Sequence, residues 1–161
     1  MPTQPTTPPE TTGSVDPDTN HTQAQNAAAT GVNHQLATRV LRIIKQRTNL
    51  LATDEVLGGT DRLEARAPLH KVTLNVPGIV IYLSGYSIEK ISGKEPGDEP
   101  AYEATKGDES GSAWNVADRL LGLTPTDTNH LFSHPTKRTV IAAFEQLAAG
   151  ADQIDWTTIR R

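Results

Sequence analysis

The sequence contains no cysteine, which excludes disulfide bonds, thiol nucleophiles and zinc sites built on cysteine. Aromatic residues make up only 4% of the 161 residues, so the large aromatic anchors that dominate many protein interfaces are scarce. No run of about 18 apolar residues occurs, and we expect no membrane span. The N-terminus has neither a basic start nor an apolar stretch, and no secretory signal is expected. These absences predict a soluble protein.

Residues 1–33 are predicted to form a disordered, threonine- and proline-rich acidic arm. The segment holds five of the eleven prolines, three acidic residues and no lysine or arginine. Its apolar side chains are too few to offset the entropy that ordering would cost. The remaining residues, 34–161, are expected to form a single helical domain.

The arm is followed by a predicted helix between His34 and Ala52. Apolar residues recur there at three- and four-residue steps, which is the period of a helix with one apolar stripe, and Asn33 is a suitable N-cap. The same stretch contains no acidic residue. Its four cations are Arg39, Arg42, Lys45 and Arg47.

Three further helices are predicted in residues 113–161. Ser112 precedes the first, Thr124-Pro125 begins the second in the cap-then-proline order typical of a helix start, and Thr136 precedes the third. Gly150 is placed to end the third helix. The pattern therefore predicts a mainly α fold of four or five helices.

Two middle segments are less regular. Residues 72–86 admit two interpretations: two strands around Pro77-Gly78, or a helix that begins at Asn75 with Pro77 in its first turn. Periodicity does not separate these alternatives over so short a run. Residues 93–112 contain six acidic residues and two lysines, and a flexible acidic loop is expected there.

The C-terminal half carries the pattern A-x-x-L-L-G-L-T, followed by Leu-Phe, a threonine and an alanine-rich helix. The matching positions are Ala117, 120–124, Leu131, Phe132, Thr136 and 142–147, with Gly78, Leu83, Gly85 and Tyr86 upstream. This order resembles a family of small uncharacterised proteins of actinobacteria and their phages.

Members of that family usually carry a Cys-Gly-Thr-x-x-Cys segment upstream, whose cysteine positions fall here on His70 and Asn75. The resemblance favours a helix over 75–86 and an actinobacterial or phage origin, with a cytoplasmic location in a bacterial host. It implies no catalytic residue.

Neither a nucleophile nor a metal site is indicated. The paired carboxylates, such as Asp54-Glu55 and Asp108-Glu109, are neighbours in polar segments, where solvent keeps both ionised. His130 and His134 have the four-residue spacing of zinc ligands, but no glutamate accompanies them and Pro135 follows directly. We therefore expect no enzyme and no cofactor, and a metal-dependent enzyme is the least favoured reading.

The expected function is that of a non-enzymatic binding or regulatory accessory protein, encoded by a phage or mobile element, with another protein as its partner. Contact would be made through a cationic helix face and a second polar surface. The predicted partner-binding residues are Arg39, Arg42, Lys45, Arg47, Asn129, His130, Lys137 and Arg138.

The alternative is a helix-turn-helix-like DNA-binding protein using residues 116–149, with Thr126, Asp127, Asn129 and His130 facing a groove. Residues 113–161 carry five acids and five bases, however, whereas phosphate affinity requires an excess of cations.

Overall fold

The computed structural model describes residues 31–52, 54–91, 100–133 and 135–159. Within these ranges it contains both helices and antiparallel sheets, so the expectation of a mainly α fold is wrong. The helices are α1 (His34–Gln46), α2 (Val76–Leu83), α3 (Ala113–Leu121), α4 (Pro125–Phe132), α5 (Lys137–Ala148) and α6 (Trp156–Ile159). The strands are β1 (Leu57–Gly58), β2 (Arg62–Leu63), β3 (Thr73–Leu74), β4 (Ser87–Ile91), β5 (Ala101–Lys106) and β6 (Glu109–Ser112).

The strands form two small antiparallel sheets, one of order β2-β4-β5-β6 and one pairing β1 with β3. Strands β5 and β6 are joined by Gly107-Asp108 as a hairpin, and Gly107 adopts a φ of +59°. A positive φ is typical of tight hairpin turns. Much of the stretch expected to be a flexible loop, residues 101–112, is therefore sheet, and residues 92–99 lie outside the described ranges.

The segment 72–86 combines elements of both interpretations. Thr73 and Leu74 form a strand, and Asn75 then caps α2 by accepting a hydrogen bond from the Gly78 amide at 3.1 Å. Pro77 lies in the first turn, where a missing amide proton costs nothing. A Cβ at Gly78 would lie 2.2 Å from the Val56 carbonyl oxygen, so only glycine permits this close approach.

Helix α1 begins where expected, because the Asn33 side chain accepts from the Leu36 amide at 3.0 Å. It ends at Gln46, earlier than expected. The apolar period continues into Leu50 and Leu51, but these residues pair with Leu74 instead: the Leu74 amide donates to the Leu50 carbonyl at 2.8 Å. The predicted helix is thus shortened by a contact with a distant strand.

Helices α1 and α5 pack side by side in opposite directions. The imidazole of His34, at the start of α1, contacts the Leu147 carbonyl near the end of α5, at 2.8 Å. At the other end, Lys137 of α5 donates to the Thr48 carbonyl just beyond α1. Phe144 of α5 is fully buried at this part of the core.

The C-terminal helices start at the expected caps. The Thr124 and Thr136 side chains accept from amides three residues ahead, whereas Ser112 makes no such side-chain bond. Gly122 ends α3 in the left-handed conformation, with a φ of +65°.

No helix in the described part of the chain is long and apolar enough to span a membrane. The expected disordered arm, apart from residues 31–33, lies outside the described residues.

Candidate functional site

The cations predicted on α1 differ in their partners. Lys45 forms an ion pair with Glu145 of α5, with 2.6 Å between Nζ and Oε1, so its charge is neutralised within the fold. Arg42 is exposed and makes no hydrogen bond or ion pair with any described residue. Arg39 and Arg47 instead contact backbone carbonyls, which leaves their positive charges without a carboxylate partner among the described residues.

Arg39 borders a first hollow, of about 390 Å³, at the end of α2. Its Nη2 donates to the Leu83 carbonyl at 2.6 Å. Arg66 lines the same hollow, and Lys106 reaches it from the sheet by donating to the Ser84 carbonyl at 3.1 Å. Arg39 and Lys106 thus satisfy carbonyls at the negative end of the helix dipole. No carboxylate is among the described residues that line this hollow.

Arg47 borders a second hollow, of about 520 Å³, beyond the end of α1. Its Nη1 contacts the Leu69 carbonyl at 3.5 Å, and Lys71 lines the hollow as well. Here too the described lining residues include no carboxylate. Lys137 adds a further cation nearby through its bond to the Thr48 carbonyl.

The segment between Arg66 and Lys71 therefore joins the two hollows. Both residues adopt left-handed backbone conformations, with φ of +63° for Arg66 and +57° for Lys71. Neither was predicted as a site residue. One signal was available, since residues 65–88 contain no acidic residue. We call Arg39, Arg47, Arg66 and Lys71 the basic surface.

The second predicted polar surface is divided between two neighbourhoods. Lys137 is directed to the end of α1, whereas the His130 ring packs against Trp156 in a tilted contact, with centroids 4.8 Å apart. Asn129 accepts a hydrogen bond from Ser133 within its own helix end, and Arg138 is exposed.

Asp127 is buried, with 3% of its surface exposed, and anchors the C-terminal segment. Its carboxylate accepts from the Trp156 indole at 2.7 Å and from the Ile154 amide at 3.4 Å. The helix-turn-helix alternative requires Asp127 to face outward, toward a groove. In the structure its carboxylate is turned inward instead. This anchoring role was missed, although an indole N–H that is buried usually needs a hydrogen-bond acceptor.

A cleft of about 540 Å³ opens between the start of β5, the start of α3 and the end of α4. Trp114 lines it with 38% of its surface exposed, and its ring meets Phe132 edge to face at 5.2 Å. Asp54, Glu55 and the buried Tyr102 also line the cleft, which we call the acidic cleft. Burial raises the pKa of Tyr102, and the nearby carboxylates raise it further.

The side chains of Tyr86, Glu109 and Arg119 form a hydrogen-bonded cluster. The Tyr86 hydroxyl donates to Glu109 at 2.6 Å, and Arg119 donates to the other oxygen of the same carboxylate. The hydrogen bond from Tyr86, followed by that from Arg119, lowers the pKa of Glu109, whereas burial and then Glu109 raise the pKa of Tyr86. The phenol thus stays protonated and each group is satisfied by another. This network ties the β5–β6 hairpin to α3 and offers no free nucleophile.

Among the described residues, no group of three or more histidine, aspartate or glutamate side chains is placed to hold a metal ion. The predicted histidine pair is incomplete here, because His134 lies outside the described ranges.

Comparisons of this chain with protein-family models, with curated proteins and with solved structures found no match.

Proposed function

We propose that this chain is a non-enzymatic binding protein that docks an acidic segment of a partner protein on the basic surface. The observation that carries the proposal is the pair of hollows beside α1, each lined by two cations and by no described carboxylate. The resemblance noted above supports an accessory role in an actinobacterial phage or mobile element.

The arrangement suits carboxylates because the cations keep unused donors. Arg39 and Arg47 each spend one N–H on a backbone carbonyl, whereas a guanidinium has five. The remaining donors form a fork that matches the two oxygens of a carboxylate. Complementary charge of this kind speeds encounter and sets the register of a partner more than it adds affinity.

An acidic protein segment is favoured over nucleic acid by two observations. The whole chain carries a net charge of −4. A duplex bears one negative charge per about 1.7 Å along its whole length, so it is repelled outside the immediate contact, whereas an acidic segment can be as short as the basic surface. In addition, the buried Asp127 is committed to Trp156 and Ile154, so α4 lacks one of the four side chains that a groove-reading helix was expected to present.

The test measures fluorescence anisotropy of a labelled glutamate-rich peptide at about 50 and about 300 mM salt, beside a labelled random DNA duplex. We expect binding of the peptide that weakens with salt. Arg47→Gln/Lys71→Gln and Arg39→Gln/Arg66→Gln should each reduce affinity about tenfold, or about 1.4 kcal/mol.

The matched control is Arg62→Gln/Lys90→Gln, which changes the net charge equally on β2 and β4. Its affinity should stay within about twofold of the parent, because neither residue lines either hollow and charges at a distance are screened. Equal losses in the control, or no peptide binding at low salt, would overturn the proposal. Tighter binding of the duplex than of the peptide would overturn the partner class.

A further inference from the structure

We propose that the acidic cleft is a second binding site, independent of the basic surface, for a small organic cation: an ammonium or amidinium group carried on an apolar body. Its volume of about 540 Å³ lies within the range of small-molecule sites, which are mostly apolar with a few polar groups for orientation.

The aromatic wall provides the apolar part of the site. Trp114 is one of only two large hydrophobic residues exposed in the described part of the chain, and Phe132 behind it is 3% exposed. Phe132 holds the indole in an edge-to-face contact at 5.2 Å, so the ring is preorganised at the cleft. The electron-rich face of tryptophan is the preferred aromatic surface for a cation.

The charge of the cleft selects the sign of the ligand. Asp54 and Glu55 are exposed and form no ion pair with any described residue. Both residues line the cleft. The backbone amide of Asn75, the N-cap of α2, donates to the Glu55 carbonyl at 3.1 Å. The partial positive charge of this helix end, roughly half a unit, is smaller than the two full negative charges of the carboxylates. An anion at the cleft would meet two carboxylates at once, whereas a cation would be attracted by both.

Polar groups in the wall provide the orientation. Tyr102 is nine-tenths buried, and its hydroxyl makes only a 3.5 Å contact with the Leu57 carbonyl. Ser112 also lines the cleft, and its side chain makes no capping bond to α3. A hydroxyl in either position can accept a hydrogen bond from an ammonium or amidinium group.

The experiment compares benzamidine, a planar cation, with benzamide, its neutral counterpart. Binding is followed by ¹H–¹⁵N NMR, in which the protein gives two indole signals. The Trp114 signal should shift with benzamidine, whereas Trp156, bonded to Asp127, should not move. Benzamide should bind at least about tenfold more weakly, because it gains nothing from the carboxylates.

Asp54→Asn/Glu55→Gln should weaken benzamidine binding about tenfold, as should Trp114→Leu when followed on the backbone amides. The matched control is Asp108→Asn/Asp152→Asn, which makes the same change in net charge at two exposed residues outside the cleft lining. Its affinity should equal that of the parent protein.

Three outcomes would overturn the assignment. Equal binding of benzamide would show that the charge of the ligand is irrelevant. Equal loss in the Asp108/Asp152 control would reduce the effect to net charge. Tighter binding of a lysine- or arginine-containing peptide than of benzamidine, with the same indole shift, would make the cleft a peptide-docking surface.

Discussion

Removal of the Asp127 carboxylate should release the C-terminal segment from the domain. The carboxylate is buried at the start of α4, while Trp156 and Ile154, which donate to it, belong to the last residues of the chain. Asp127→Ala therefore leaves the indole N–H and the Ile154 amide without their acceptor. The His130 ring would still contact Trp156, but that contact alone does not replace a charged hydrogen bond.

The expected cost follows from the geometry. A hydrogen bond to a charged group contributes about 1.5–3 kcal/mol, and the 2.7 Å indole bond belongs to this class. The Ile154 contact at 3.4 Å is long and adds little. We expect Asp127→Ala to lower the free energy of unfolding by about 2 kcal/mol, which lowers the Tm by about 8 °C for a domain of this size.

A double-mutant cycle with Trp156→Phe measures the bond itself. Phenylalanine keeps a ring against His130 but removes the N–H donor, so the two single variants lose the same interaction. Urea unfolding of the parent, both singles and the double should give a coupling of about 1.5 kcal/mol. Strictly additive losses would show that the bond does not exist, and the reasoning about Asp127 would then be refuted.

Two further outcomes follow from other contacts. Because the pKa of Glu109 is lowered in the fold, its stabilising contribution is complete above the ordinary carboxyl range and is lost as pH falls through the lowered value. Glu109→Gln should therefore flatten the fall in the free energy of unfolding between about pH 5 and pH 3. If urea unfolding showed the same fall at acid pH in the variant, this would be contradicted. Gly122→Ala should lower the Tm far more than Gly85→Ala. Both glycines have positive φ, but only at Gly122 would a Cβ clash, 2.2 Å from the Gly31 carbonyl oxygen. Equal decreases in Tm would refute the steric reason.

Local chemistry explains why the helix starts were predictable. Asn33, Thr124 and Thr136 each accept a hydrogen bond from an amide three residues ahead, a contact that depends only on neighbouring sequence.

The β5–β6 hairpin carried a local signal as well, a Gly-Asp pair between short alternating segments. That signal was outweighed by the acidic composition, which conceals the buried Tyr102 and Ala104 of β5.

The other strands could not be deduced in the same way, because their partners are distant in sequence. Strand β2 pairs with β4 through Arg62 and Glu89, and β1 pairs with β3 through Leu57 and Leu74. Each of β1, β2 and β3 has two residues, too few for a periodic pattern. Their existence depends on tertiary contacts that propensity does not encode.

The candidate sites show the same division. Four cations of α1 were evident from composition, but Lys45 is neutralised by Glu145, a residue 100 positions away. Arg66 and Lys71 take the place of Lys45 because left-handed backbone turns bring them to the hollows, and no local rule predicts such turns for arginine or lysine. Asp54 and Glu55 were interpreted as ordinary loop carboxylates, since only the fold places them in the same cleft as Trp114.

The two proposed sites make opposite demands on charge, and this makes them separable. Neutralising Arg47 and Lys71 makes the net charge of the protein more negative. If only net charge mattered, benzamidine would then bind more tightly. If benzamidine binds locally at Asp54 and Glu55, its affinity should be unchanged at moderate salt, where charges beyond about 8–10 Å are screened. The converse holds for the acidic-cleft variant and the glutamate-rich peptide. Each variant should therefore be measured with both probes. If the sites are local, each variant loses affinity only for the probe of its own site; if net charge alone matters, each variant also changes the affinity for the other probe.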